Sequence, residues 1–264
     1  MDANIQPAGR PRRQPPEEAS RTLAPGLRDW PEAVTFDFYG TIVNNRPEAR
    51  KRFGQILRWN RAGNVDSAAF HARWVRVVSD LQLGPFQLYR DICELALDRV
   101  FAEYGIEGRA RDIEHYFEGF ASFELWPETE TVLGELARRY PLGLVTNCDD
   151  DLFALTPKPS APIRFHFTSE AARGYKADGT LFRYVLREAG LSQPGALLHA
   201  GQSQRTDLVG AKPLGIVCAW INRHSLERDA DVPEPDFVFP DLSPLGQVVG
   251  SSPASVGEAP GPPA

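Results

Sequence analysis

The sequence Val34-Thr35-Phe36-Asp37-Phe38-Tyr39-Gly40-Thr41 places one acidic side chain within an apolar run. The run predicts a buried strand, and a carboxylate at its end is costly unless that carboxylate is paired or used. Gly40 and Thr41 predict a tight turn whose amides and hydroxyl can hold an anion. Asp37 is therefore either a reactive carboxylate or an acid that only ends a strand.

Four more short apolar runs predict strands, with helical patterns between most of them. The five runs are Ala33–Phe38, Leu142–Thr146, Ala196–Ala200, Ile216–Ile221 and Phe237–Phe239. Runs that do not alternate with polar residues are typical of strands covered on both faces, as in a parallel sheet. With helices predicted at Glu128–Arg139 and Thr180–Ala189, the pattern indicates a doubly wound α/β core.

The segment between the first two strands is too long for one crossover helix. Residues 44–125 predict several helices, and one apolar stripe from Phe86 to Val100 ends near Gly105. An insertion after the first strand lies above the carboxyl ends of the strands, where open α/β sheets bind ligands. We expect a helical cap, with a separate helical domain as the alternative. The core is then residues 31–43 and 126–250, and the tails 1–30 and 251–264 are expected to be disordered.

Two polar groups lie near the second strand and the helix that follows it. Thr146 and Asn147 end the second strand and can donate to an oxyanion, although Thr-Asn is also common in turns. Lys176 precedes the helix predicted at Thr180. A lysine there can neutralise or orient a carboxylate, although a lone lysine is usually a solvated surface residue.

The third strand leads into a polar loop that ends at Asp207. This acid could cap the helix predicted at Leu208–Leu214, orient Lys176 or activate a water. His199 lies inside the apolar run, which favours a hydrogen-bonded core histidine over a catalytic one.

Composition excludes several classes of protein. The 264 residues carry 29 basic and 35 acidic side chains, a net charge of −6, with no long basic run. Neither a nucleic acid nor an anionic membrane is expected as a partner. The N-terminal segment lacks the apolar core of a signal peptide. Cys93, Cys148 and Cys218 form no CxxC motif or disulfide framework. We expect a cytoplasmic protein that binds a small anionic molecule, and an isologous homodimer is compatible with the sequence.

Taken in order, the strand-Asp, strand-Thr-Asn, Lys-before-helix and strand-loop-Asp elements resemble the four motifs of the haloacid dehalogenase superfamily. The resemblance covers Pro31–Val249. It implies a hydrolase in which Asp37 is the nucleophile and forms a covalent ester with the substrate. It also implies catalytic roles for Thr41, Lys176 and Asp207.

Two positions depart from the phosphatases of this superfamily. Those enzymes carry a second Asp two residues after the nucleophile, to protonate the leaving alcohol, and this chain has Tyr39. A phenol, with a pKa of about 10, is a poor general acid at neutral pH. Gln202 stands where another acid usually holds Mg²⁺. We expect no cofactor; if Mg²⁺ were used, its ligands would be Asp37, the backbone of Tyr39 and Asp207.

Both departures favour the type II 2-haloacid dehalogenases, which the chain resembles at Phe36–Thr41, Gly84–Arg90, His199–Ser203 and Ala219–Arg223. This resemblance implies that Asp37 attacks the carbon bearing the halogen, with inversion, and that the halide leaves without a proton. Lys176 would keep Asp37 ionised, and a water helped by Asp207 would then attack the ester. The residues expected at the substrate are Tyr39, Thr146, Asn147, Ser203 and Gln204.

The predicted cap departs from that group at one position. The type II 2-haloacid dehalogenases have an Arg directly after a Trp to receive the halide. At the matching positions this chain has Trp74 followed by Val75. Arg73 and Arg76 lie on either side as substitutes, or as solvated surface residues. A phosphatase of the same superfamily acting on a small phosphate ester, and a non-catalytic binding protein with this fold, remain the alternatives.

Overall fold

The structure is a computed structural model that describes residues 30–249. Apart from Trp30, the tails predicted to be disordered lie outside the described residues. None of the helices between residues 30 and 249 has the length and apolar character needed to cross a membrane.

Six parallel strands form the central sheet, in the order β5-β4-β1-β6-β7-β8. They are β1 (Ala33–Asp37), β4 (Leu142–Thr146), β5 (Ile163–Thr168), β6 (Leu197–Gly201), β7 (Val217–Ile221) and β8 (Phe237–Phe239). Helices flank the sheet, so the predicted doubly wound α/β core is confirmed. β1 lies between β4 and β6 and is buried along its whole length.

One strand of the central sheet was not predicted. β5 alternates between exposed side chains and half-buried or buried ones along Ile163–Phe167, because it is an edge strand of the sheet. A search for continuous apolar runs misses such a strand, whereas the alternation of Ile163, Phe165 and Phe167 with polar residues could have found it.

The α-helices are α1 (Arg46–Trp59), α2 (Ser67–Leu81), α3 (Tyr89–Glu103), α4 (Glu114–Phe117), α5 (Thr129–Leu136), α6 (Asp150–Leu155), α7 (Ser169–Ala172), α8 (Thr180–Glu188), α9 (Val209–Ala211) and α10 (Leu245–Val248). Helices α5 and α8 match the predicted positions, with earlier ends. The helix predicted at Leu208–Leu214 begins earlier, as a π-helical turn at Gln204–Leu208, and ends in a 3₁₀ turn at Lys212–Leu214.

Helices α1 to α4 form an insertion between two short strands, β2 (Val43–Asn44) and β3 (Glu124–Leu125). These strands pair in antiparallel fashion, so the chain leaves and re-enters the core at one place. Aromatic rings fill the centre of this helical insertion, with Phe53 and Trp74 4.9 Å apart between ring centroids. The apolar cluster of the insertion is continuous with that on one face of the sheet.

Candidate active site

The carboxyl ends of β1, β4 and β6 meet at one edge of the sheet, because these three strands are neighbours and parallel. This arrangement brings together Asp37, the residues after Thr146 and the loop after Gly201. The resemblance to the four motifs implied a common site for these residues, and open α/β sheets bind ligands at this edge.

Asp37 ends β1 and is only 8% exposed. Its Oδ1 accepts a hydrogen bond from Lys176 Nζ at 2.5 Å, and its Oδ2 accepts one from Thr41 Oγ1 at 2.7 Å. The Thr41 hydroxyl in turn accepts from the backbone N–H of Gln202 at 2.9 Å, which directs its proton towards Asp37. Each carboxylate oxygen of Asp37 therefore has a fixed donor.

Lys176 is 1% exposed and lies in the loop before α8. Its Nζ also donates to Asp207 Oδ1 at 2.8 Å, so one ammonium joins two carboxylates. Gly210 allows α9 to pack against this loop, since a Cβ at Gly210 would lie 1.8 Å from the Lys176 carbonyl oxygen. The alternative of a solvated surface lysine is wrong for Lys176.

Asp207 does not cap the helix that it was expected to open. The capping side chain is Ser203, whose Oγ accepts from Thr206 N at 3.2 Å, and Asp207 lies one turn later. Asp207 Oδ2 accepts from Ser203 N at 2.9 Å, and its Oδ1 is 3.2 Å from His199 Nε2.

His199 is buried, and its Nδ1 lies 3.0 Å from Thr35 Oγ1. Burial lowers the pKa of its imidazole, which is therefore neutral at neutral pH. The carboxylate of Asp207 can only accept, so Nε2 carries the proton and Nδ1 accepts from Thr35. Both ring nitrogens have partners, as expected of a core histidine.

The pKa values of Asp37, Asp207 and Lys176 are shifted in different directions. Burial raises the pKa of Asp37 to about 6, although Lys176 opposes the shift. Burial also opposes ionisation of Asp207, but the attraction of Lys176 and the bond from His199 outweigh it and lower the pKa of Asp207. The two carboxylates raise the pKa of Lys176 despite its burial. Asp37 is therefore the carboxylate whose proton is held more tightly, and both acids are ionised at neutral pH.

Tyr39 points its hydroxyl at Thr156 Oγ1, 2.9 Å away, and at the thiol of Cys148. Burial raises the pKa of this phenol well above its ordinary value. Tyr39 therefore holds its proton tightly at neutral pH, which makes it a poor general acid.

The remaining residues expected at the substrate have different surroundings. Thr146 is buried at the end of β4. Asn147 Oδ1 accepts from Lys176 N at 2.9 Å, and its Nδ2 donates to Gln82 Oε1 at 3.1 Å. Ser203 serves as a helix cap, and the Gln204 amide binds the backbone of Glu227 and Asp229. The structure thus brings Asn147 to Lys176 and uses Gln204 to hold a distant loop.

The two carboxylates do not fit a magnesium ion in this arrangement. Each of their four oxygens already accepts from a protein donor, and the Lys176 ammonium lies between them. Among residues 30–249, no group of three or more His, Cys, Asp or Glu side chains is arranged to hold a metal.

Arg73 and Arg76 are not directed at Asp37. Arg73 forms a two-pronged ion pair with Glu103 on the outer surface of the insertion, with both contacts at 2.7 Å. Val75 and Arg76 are exposed, whereas Trp74 packs inside the insertion and donates to Cys93 O. The structure supports the interpretation of Arg73 and Arg76 as solvated surface residues.

Two residues near the site were not predicted. Gln82 follows α2 and binds Asn147, and Asp149 accepts from the first backbone amides of α3, at Tyr89 and Arg90, at 2.7 and 2.8 Å. Asp149 carried a signal, since an acid near a strand end can cap a helix. No local pattern marks Gln82, because its partner lies 65 positions away.

Comparisons with known proteins agree with the fold. A family model described as haloacid dehalogenase-like hydrolase matches residues 31–215. A dehalogenase structure described as an intermediate complex aligns with a TM-score of 0.72 at 16% identity, over 85% of this chain and 100% of its own. The L-2-haloacid dehalogenase from Xanthobacter autotrophicus gives 0.69 at 18% identity, over 82% and 97%. A putative hydrolase of the superfamily from Bacillus subtilis, bound to magnesium, gives 0.68 at 16%, over 84% and 99%. No curated protein matches the sequence.

Proposed function

The chain belongs to the haloacid dehalogenase-like hydrolases, and on that premise we propose that it hydrolyses the carbon–halogen bond of a small 2-haloacid. The observation that carries the proposal is the raised pKa and the hydrogen bonding of the Tyr39 hydroxyl. A phosphatase of this type needs an acid at that position to protonate the leaving alcohol. The Tyr39 phenol has a raised pKa and bonds Thr156, so it favours a leaving group that departs without a proton.

In the first step, Asp37 attacks the carbon that bears the halogen. A carboxylate oxygen forms the new C–O bond, and the halide leaves with the electron pair of the broken bond, with inversion at carbon. Lys176 and Thr41 donate to the Asp37 carboxylate at 2.5 and 2.7 Å, and these two bonds hold it in one orientation. Such fixed positioning is a large part of the advantage of covalent catalysis.

In the second step, water attacks the carbonyl carbon of the Asp37 ester. The bond from this carbon to the substrate oxygen breaks, the 2-hydroxyacid leaves, and Asp37 is regenerated as a carboxylate. Of the two protons of water, one goes to the departing substrate oxygen and the other to solvent, so the products are a hydroxyacid, a halide and a proton. Asp207 stays ionised because its pKa is low, and it keeps Lys176 in place throughout.

The helical insertion acts as the cap over this reaction. Its helices α2 and α3 contact the loops that carry Asn147 and Asp149, so they cover the carboxyl edge of the sheet. The substrate carboxylate would rest on backbone amides, Thr146 and Asn147.

The test is a panel of 2-haloacids and phosphate esters, each assayed with and without Mg²⁺. We expect halide release that needs no metal and is lost in Asp37→Asn. Metal-dependent phosphate release without halide release would instead establish a phosphatase. Binding of a 2-haloacid that is unchanged in Asp37→Asn, with no turnover of any substrate, would indicate a non-catalytic protein.

A further inference from the structure

Gln82 is a buried amide of the helical insertion that contacts the candidate active site. It follows α2, and only 5% of it is exposed. Its Oε1 accepts from Asn147 Nδ2 at 3.1 Å, which links the insertion to the loop after β4.

The direction of every bond in this chain is forced. The backbone N–H of Lys176 can only donate, so Asn147 must present its oxygen to it, at 2.9 Å. The NH₂ group of Asn147 then points towards Gln82, which must present an oxygen in turn. An acceptor at position 82 therefore fixes the orientation of Asn147.

We infer that Gln82 is a positioning residue, which through Asn147 fixes the backbone from which Lys176 reaches Asp37. The effect on catalysis rests on the proposed function. On its other side the same backbone packs against Gly210, so Lys176 is held from both directions. A small displacement of this backbone moves an ammonium that contacts two buried carboxylates.

The insertion is anchored to the same loops by other bonds. Asp149 accepts from the first amides of α3, and Tyr175, next to Lys176, donates its hydroxyl to Gln87 O at 3.0 Å. These bonds keep Gln82 within reach of Asn147. The seating of the insertion is thereby coupled to the geometry at Asp37.

Two variants of Gln82 separate positioning from bulk packing. Gln82→Met keeps the length of the side chain but removes the acceptor, whereas Gln82→Glu keeps an acceptor oxygen for Asn147. Arg90→Gln is the matched control, because it removes the ion pair of Arg90 with Asp151 at 2.8 Å, another contact between insertion and core. We would measure kcat and KM for a 2-haloacid, and the hydrogen exchange rate of the Lys176 amide.

For Gln82→Met we expect kcat to fall roughly fivefold to tenfold with little change in KM, since one neutral hydrogen bond is lost. The Lys176 amide should exchange faster by a similar factor. Gln82→Glu should restore both values towards wild type, and Arg90→Gln should leave both unchanged. Unchanged exchange in Gln82→Met, or equal losses in Gln82→Met and Gln82→Glu, would overturn the inference.

The exchange measurement needs no substrate, so it separates the two proposals. If the wild type releases no halide, the proposed function fails while the amide of Lys176 still decides whether Gln82 positions it. If halide is released but the exchange rate does not change, only the inference about Gln82 fails.

Discussion

At the carboxyl edge of the sheet, residues far apart in the sequence are in contact, whereas on α2 adjacent residues have different surroundings. Lys176 and Asp37 lie 139 positions apart and share a 2.5 Å contact. Arg73 and Trp74 are adjacent, yet one pairs with Glu103 at the surface and the other is buried. Parallel neighbouring strands must end at the same edge, whereas consecutive helical residues point about 100° apart. Alignment to a motif is therefore dependable at strand ends and fragile on a helix.

Replacing Lys176 tests the convergent region most severely. Lys176→Met leaves two buried carboxylates without their shared cation, which should cost about 3–5 kcal/mol in the free energy of unfolding. Halide release should fall at least about a thousandfold. Chemical denaturation and steady-state kinetics measure the two effects.

The matched control is Lys51→Met, which breaks an exposed pair with Glu48 within α1. It should cost at most about 1 kcal/mol. Equal losses in the two lysine variants would contradict the distinction between the regions.

Gly210→Ala tests how closely the core packs around Lys176. The new methyl group would overlap the Lys176 carbonyl, so the helix or the loop must move. We expect a loss of about 1–3 kcal/mol by thermal or chemical denaturation, together with lower activity. Gly134→Ala is the control, because nothing lies within 4 Å of the added Cβ in α5, and it should stabilise the protein slightly. A stable and active Gly210→Ala would show that the Lys176 loop tolerates displacement.

The pH dependence sharpens the comparison at Asp37 itself. As the proposed nucleophile, Asp37 must be ionised, and its pKa is raised to about 6, so kcat/KM should fall as the pH drops through about 6. Thr41→Val removes a hydrogen bond that lowers this pKa, which should move the acid limb to higher pH. Thr156→Val removes a partner of Tyr39 rather than of Asp37 and should leave the limb in place. A limb that stays fixed in Thr41→Val would argue against Asp37 as its source.

The smallest effect is expected on the outer face of α2. Arg73→Gln loses only its surface pair with Glu103, so KM for a 2-haloacid should stay within about twofold of wild type. Arg76→Gln, which alters an exposed position, should behave alike. A large rise in KM in either variant would mean that the insertion moves enough to turn this face towards the substrate.

Local pattern was informative wherever burial covers both faces of an element. The apolar runs of β1, β4, β6 and β7 appear in the structure with ends shifted by at most one residue, because a doubly covered strand admits few polar residues. The run of β8 appears with its predicted ends, although β8 is an edge strand and only partly buried. The edge strand β5 was not predicted, since its exposed side is polar. The start of the helical turn at Gln204 was also not predicted, because Ser203 rather than Asp207 caps it.

The sequence by itself determined the doubly wound core and the order of the four polar elements, since strand ends and their polar successors are local features. Only the tertiary structure decided that Asp207 turns inward to Lys176, that Tyr39 bonds Thr156, and that Gln82 reaches Asn147. Each of these is a hydrogen bond between side chains far apart in the chain or on opposite sides of the insertion. Such partners are chosen by packing, because a buried polar group must find a donor or acceptor wherever the fold places one.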